Sequence, residues 1–126
     1  MQAAMLEHVN VTVSDPAKTA RMLETLFGWR TRWHGDAMSG GTTYHVGTDD
    51  TYVAVYSPAG QTAPVDSSYA LRGGLNHIAV VVDDLDRTEE QVKDMGFVPM
   101  NHGDYEPGRR FYFRDHDGIE FEVVSY

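Results

Sequence analysis

The chain of 126 residues predicts an α+β fold of two tandem βαβββ modules. Three observations carry this. The sequence repeats itself at a fixed offset, each repeat reads strand, helix, then three short strands, and strand alternation gives each repeat one apolar and one polar face. "HVNVTVSDP" (8–16) and "HIAVVVDDLD" (77–86) share one shape: a histidine, a run of strand-forming residues, and an aspartate seven positions after the histidine. A shift of 69 maps His8 onto His77 and Asp15 onto Asp84, and a shift of 68 maps Gly28-Trp29 onto Gly96-Phe97, Tyr44 onto Tyr112 and Val55 onto Val123. Self-similarity of this kind marks a duplicated supersecondary unit, and one residue of slippage is a change of loop length.

Each module opens with a β-branched strand, at 9–13 and 78–82. Ser14-Asp15-Pro16 then places a capping side chain and a first-turn proline before "AKTARMLETLF", and "DDLDRTEEQVKDM" is the counterpart. Each helix stops at a glycine, 28 or 96, the residue that most readily takes the left-handed stop conformation. Short strands follow near 30–34, 42–47 and 52–57, and near 97–101, 110–114 and 119–125. "SPAGQTAPVDSSYALRGG" (57–74) is rich in Pro, Gly and Ser and reads as a connection. The chain is thus one domain: module 1 about 4–57, linker about 58–73 and module 2 about 74–126.

Alternation along the strands assigns faces. His8, Asn10 and Thr12 oppose Val9, Val11 and Val13; His77, Ala79 and Val81 oppose Ile78, Val80 and Val82. Glu120 and Glu122 oppose Phe121 and Val123, and Tyr112 opposes Phe111 and Phe113. The apolar faces await helices on the outside. The other faces hold His, Tyr and Glu, and together would form a partly open, barrel-like sheet around a polar cavity.

Composition excludes several functions. Nineteen acidic against ten basic residues give a net charge of −9, which opposes binding to nucleic-acid backbones. No apolar run approaches the roughly 18 residues that a membrane span needs. The start "MQAAMLEHVN" shows no secretory signal, so a cytoplasmic location is expected. With no cysteine, neither disulfides nor thiolate metal sites are possible.

The paired "HVNVTVSDP" and "NHIAVVVDDLD" openings and "FYFRDHDGIEFEVV" near the end resemble the vicinal oxygen chelate superfamily of glyoxalases, bleomycin-resistance proteins and extradiol dioxygenases. The last segment resembles that family's aromatic-rich strand, Asp-Pro-Asp-Gly turn, and strand bearing a glutamate four residues after the glycine. Here Glu122 follows Gly118 by four, and His116 replaces the turn proline. The resemblance implies metal ligands at His8, residue 54, His77 and Glu122. Position 54 is alanine, which leaves two histidines and one carboxylate. Such a triad with open positions suits Fe(II), with Mn, Ni or Zn as alternatives.

A divalent ion on two neutral imidazoles and one carboxylate keeps about one positive charge, which suits a bidentate anionic ligand with adjacent oxygens. The order His102, Tyr112, Asp115, Gly118, Glu122 also resembles extradiol dioxygenases and implies Tyr112 as a hydrogen-bond donor and His102 as an acid/base. The expectation is therefore a metal-dependent enzyme acting on a small molecule, in its most specific form an extradiol-type dioxygenase, and a homodimer. The rivals are a glyoxalase-like lyase or isomerase, a metal-dependent transferase, and a non-catalytic binding protein of the bleomycin-resistance type. Arg109, Arg110 and Glu120 read as surface or rim charges, and His34 and His45 carry no motif.

Overall fold

A computed structural model describes residues 2–64 and 68–126; the part of the linker at 65–67 lies outside the described residues. The chain divides into two compact units, Met1–Ala63 and Pro64–Tyr126. Unit 1 contains β1 (His8–Thr12), α1 (Pro16–Phe27), β2 (Arg30–Ala37), β3 (Gly41–Gly47) and β4 (Tyr52–Ser57). Unit 2 contains β5 (Ile78–Val81), α2 (Leu85–Asp94), β6 (Met100–Tyr105), β7 (Gly108–Arg114) and β8 (Glu120–Ser125). The two βαβββ modules of the sequence are both present. Their four-stranded sheets have the same order, β1-β4-β3-β2 and β5-β8-β7-β6. In each, the first strand runs parallel to the last and the remaining pairs are antiparallel.

The helices form where their caps are. The Asp15 side chain accepts from the Lys18 amide at 3.2 Å, Pro16 opens α1, and Gly28 ends it at φ +68° while donating to the Glu24 carbonyl at 3.0 Å. Asp84 caps α2 in the same way, accepting from the Arg87 amide at 3.0 Å. The buried stripe Thr19, Ala20, Met22, Leu23 and Leu26 of α1 packs on β3 and β4, where Val46, Val53 and Val55 are buried. In unit 2, Leu85, Thr88 and Val92 of α2 cover β7 and β8. Phe113 stacks between Phe97 at 5.7 Å and Phe121 at 5.3 Å, and these aromatic rings with Phe111 and Val123 form the core. Burying each such side chain stabilises by about 1.5–3 kcal/mol. Truncating fully buried Leu23 to alanine would cost about 2–5 kcal/mol.

Strand register tests the repeat residue by residue. β1 pairs Asn10 with Ala54, and β5 pairs Ala79 with Glu122, so Ala54 is the counterpart of Glu122 as the sequence repeat implies. One equivalence is corrected. β3 pairs His45 with Ala54, whereas β7 pairs Tyr112 with Glu122, so His45 and not Tyr44 is the counterpart of Tyr112. The reason lies in the hairpin turns. The first closes from the Thr48 amide to the Thr51 carbonyl, the second from Asp115 to Ile119, one residue longer. Tyr44 consequently lies on the helix side of its sheet, stacked on His34 at 4.7 Å. Among the described residues no helix is long and apolar enough to cross a membrane.

Candidate metal centre

The polar face of unit 2 gathers side chains from β7, β8, the residue just before β5, and the linker. Glu120 and Glu122 lie two positions apart on β8 and share that face, with side chains only 8% and 10% exposed. Carboxylates so buried require partners. Glu122 has three: the Tyr112 hydroxyl donates to Oε1 at 3.2 Å, Arg110 Nη1 donates to Oε2 at 3.0 Å, and His77 Nε2 lies 3.2 Å from Oε1. Glu120 accepts a very short hydrogen bond from the Tyr69 hydroxyl and a longer one from Arg114 Nη2 at 3.5 Å. Tyr69 also reaches His77 Nδ1 at 3.3 Å. The Tyr112 ring meets the His77 ring edge-on, 5.6 Å between centroids.

Both phenols are donors at neutral pH. Burial, then the negative charge and hydrogen bond of Glu122, push the Tyr112 hydroxyl above the usual tyrosine range. The Glu120 hydrogen bond, then burial, push Tyr69 up to about 12.

The pair His77–Glu122 fits a divalent ion. Two cis ligands each about 2.1 Å from one ion stand about 3.0 Å apart, and the observed Nε2–Oε1 separation is 3.2 Å. Chemistry points the same way. The single Tyr69 proton is given to Glu120, so toward Nδ1 the hydroxyl oxygen can only accept. With the imidazole hydrogen on Nδ1, the Nε2 lone pair would face a carboxylate oxygen. In that tautomer a cation would bridge the two lone pairs. Among the described residues no three His, Asp or Glu side chains are gathered so as to hold an ion by themselves; unit 2 offers two donors.

In unit 1, His8 lies on the corresponding face. Its Nδ1 lies 2.8 Å from Glu7 Oε1, and its ring stacks on Tyr52 at 4.8 Å. Tyr52 stacks in turn on His45 at 4.6 Å, and Trp33 leans on His45 at 5.1 Å. Burial, followed by the positive charges of His8 and Arg32, holds the His45 imidazole below its ordinary range and therefore neutral.

His102 is placed otherwise than the sequence reading expects. Its Nε2 lies 3.0 Å from Glu89 of α2 and its ring stacks on Phe111, on the helix side of the sheet. A bulge explains this. Asn101 takes φ +52°, and the register slips between Met100, opposite Tyr112, and Gly103, opposite Arg110. The slip turns residue 102 away from the face that Tyr112 occupies.

Two charges read from the sequence as rim or surface groups are structural parts of the centre. Glu120 is buried, and Arg110 is half-buried against Glu122 with its guanidinium 4.8 Å over the Tyr105 ring. Its Nε and Nη2 are buried without a hydrogen-bond partner among the described residues. Arg109, by contrast, is exposed and pairs with Asp86 at 2.9 Å. Tyr69 was beyond sequence reasoning, because it sits in the linker and reaches a glutamate 51 residues away. Arg110 carried a usable signal: it alternates with Phe111 onto the face of Tyr112.

No curated protein matches the chain significantly. Among solved structures, a glyoxylase/bleomycin resistance protein/dioxygenase domain from Frankia sp. EAN1pec is similar over 98% of both chains at 22% identity, with a TM-score of 0.81. The fosfomycin resistance protein FosX from Mesorhizobium loti is similar at 26% identity over 98% of this chain and 92% of that one, with a TM-score of 0.70. FosX from Listeria monocytogenes, complexed with Mn(II) and sulfate, is similar at 20% identity over 99% and 94%, with a TM-score of 0.72. The family model for the Glyoxalase/Bleomycin resistance protein/Dioxygenase superfamily matches residues 5–123, nearly the whole duplicated sequence, and the chain belongs to that superfamily.

Proposed function

We propose that the chain is a divalent-metal-dependent enzyme that chelates two adjacent oxygens of a small anionic substrate. The observation that carries this reading is His77 Nε2 facing Glu122 Oε1 at 3.2 Å, close to the spacing of two cis ligands on one divalent ion. His77 and Glu122 would hold the ion, and His8, the counterpart histidine of the repeat, is the third ligand in this reading. Such an ion acts as a Lewis acid that lowers the pKa of a bound hydroxyl. Tyr112 keeps its proton and donates; beside Glu122, its role is to orient a substrate oxygen. The two partnerless nitrogens of Arg110 supply positive charge behind the carboxylate.

Extradiol-type cleavage on Fe(II) is the most specific form of this reading, supported by the order of His102, Tyr112 and Glu122. A second form is favoured by a specific observation. With His102 bound to Glu89 on the helix side, the acid/base that ring cleavage would use is turned away. Chelation without dioxygen, on Mn(II) or a similar ion, needs no such group. The Listeria relative holds Mn(II) and an oxyanion. The chain pairs as a homodimer in this reading.

Native mass spectrometry of protein purified without chelators tests both metal and assembly. The expected species carries one divalent ion per chain at twice the 14.1 kDa chain mass. Metal-free protein that takes up no Fe, Mn, Ni or Zn on titration would defeat the enzyme reading and favour the non-catalytic one. Oxygen uptake on a panel of catechols, against turnover of hydroxy-carbonyl substrates without oxygen, separates the two chemical forms.

A further inference from the structure

We infer that Tyr69 and Glu120 are a positioning pair that fixes the tautomer of His77, so that Nε2 is presented as a bare ligand to a metal ion. The inference rests on the metal reading above for its purpose, though not for its geometry.

The sequence gives Glu120 no evident job. It precedes the ligand carboxylate by two, shares its face, and is nearly as buried. A second buried carboxylate so close to the first is unfavourable unless it is put to use. Its Oε2 lies 3.9 Å from His77 Nδ1, too far for a direct hydrogen bond. Tyr69 spans the gap. Its hydroxyl donates to Glu120 Oε2 and stands 3.3 Å from Nδ1.

The order of donation follows from the inventory of protons. A tyrosine hydroxyl has one hydrogen and accepts on the same oxygen. The hydrogen goes to the carboxylate, the stronger acceptor, and the oxygen takes the Nδ1 hydrogen. The chain Nδ1–H···Oη–H···Oε2 leaves Nε2 without a hydrogen, directed at Glu122. Histidine ligands commonly donate their second nitrogen to such an outer partner, which sets the tautomer, orients the ring and makes the bound nitrogen more basic. Here the partner comes from the linker, so a segment outside both modules' regular elements completes the centre.

The unit 1 counterpart strengthens the inference. Register places Tyr52 opposite His8, where the extension of the β5–β8 pairing places Glu120 opposite His77. Tyr52 stacks on the His8 ring and hydrogen-bonds Glu7, and His8 Nδ1 meets that exposed carboxylate directly, with no phenol between them. A phenol interposed between histidine and carboxylate is thus a property of one histidine and not of the fold; Glu120 is buried, and Tyr69 covers it from the exposed side.

The test reads the tautomer of His77 directly, by long-range proton–nitrogen NMR of the metal-free full chain at pH 8.5, alongside Mn(II) titration. In the wild type, His77 should carry its hydrogen on Nδ1. Tyr69→Phe should move it toward the Nε2–H form and weaken Mn(II) binding about 10- to 100-fold. Glu120→Gln retains an acceptor for the phenol and should keep the tautomer. A merely structural role would shift melting without moving the nitrogen signals. A wild-type His77 with hydrogen on Nε2 or on both nitrogens would overturn the inference, even if neither variant folds. So would a Tyr69→Phe variant with unchanged tautomer and Mn(II) affinity. A wild type with the expected tautomer that binds no Mn(II) or other divalent ion would leave the relay standing and overturn the metal reading alone.

Discussion

The two units use one scaffold for opposite chemistry. Read on equivalent strands, unit 1 places His8, Tyr52, Ala54 and His45 where unit 2 places His77, Glu120, Glu122 and Tyr112. The first set is a stack of rings, His8 on Tyr52 on His45, capped by Trp33. The second is two buried carboxylates bound to Arg110, Arg114, Tyr69 and Tyr112. Stacked rings satisfy one another and need no buried counter-charge; the carboxylate beside His8, Glu7, is exposed. Paired carboxylates do need one, and Arg110 and Arg114 supply it. A duplicated fold thus divides its labour by side chain while keeping register, and among the described residues only unit 2 buries carboxylates, the proposed ligand Glu122 among them.

The strongest way to break this contrast is to remove that ligand. Glu122→Gln keeps the shape and one of the two acceptor oxygens that Arg110 and Tyr112 use, but removes the charge. Divalent-metal affinity should fall by well over about 100-fold, beyond the roughly 10- to 100-fold typical of an outer partner. Calorimetric titration with Mn(II) checks it. An unchanged affinity would mean that the ion is not held by Glu122.

The reverse exchange is the next in size. Ala54 is 2% exposed and sits opposite His45 and Asn10. Ala54→Glu would recreate in unit 1 the carboxylate of unit 2, but opposite His45 rather than a tyrosine. In metal-free protein it should cost about 3 kcal/mol or more, the penalty of a poorly paired buried charge. Divalent metal should return part of that stability, because a carboxylate facing an ion is no longer unpaired. Urea unfolding with and without Mn(II) measures both. A loss that Mn(II) leaves untouched would show that residue 54 does not face the ion.

What the sequence could reveal follows the range of each interaction. The repeat, the caps at Asp15 and Asp84, and the shared face of Glu122 and Tyr112 are local or periodic, and all are present. His102 escaped because a single left-handed residue, Asn101, interrupts the alternation that would have carried it to the face of Tyr112. The Tyr44 equivalence failed for a related reason, one extra residue in a distant turn. Tyr69 lies in a linker without periodicity, and nothing local to it names Glu120.

That same turn supplies the smallest and finest test. In unit 1, Thr48 closes the β3–β4 turn with its hydroxyl accepting from the amides of Asp50 and Thr51, both at 3.3 Å. In unit 2, Asp115 does this for β7–β8, accepting from Asp117 at 2.8 Å and Ile119 at 3.0 Å. Thr48 is exposed and neutral, whereas Asp115 is buried and its Oδ2 has no hydrogen-bond partner among the described residues. Burial therefore raises the Asp115 carboxyl above its ordinary 3.8, against the two amide hydrogen bonds that lower it. With the folded value above the unfolded one, the folded state binds the extra proton between them. Stability from this group is greatest below 3.8 and is lost as pH rises through the raised value. Asp115→Asn retains an acceptor for both amides and cannot ionise. Relative to the wild type it should gain stability as pH rises from about 4 toward 7, by up to about 1 kcal/mol, the size of one net hydrogen bond. Thr48→Val, which removes the equivalent acceptor in unit 1, should show a small loss that does not vary with pH. Parallel urea titrations at several pH values decide it. A constant difference between Asp115→Asn and the wild type would mean that the turn amides, and not burial, govern that carboxyl, and that the two turns differ in length alone.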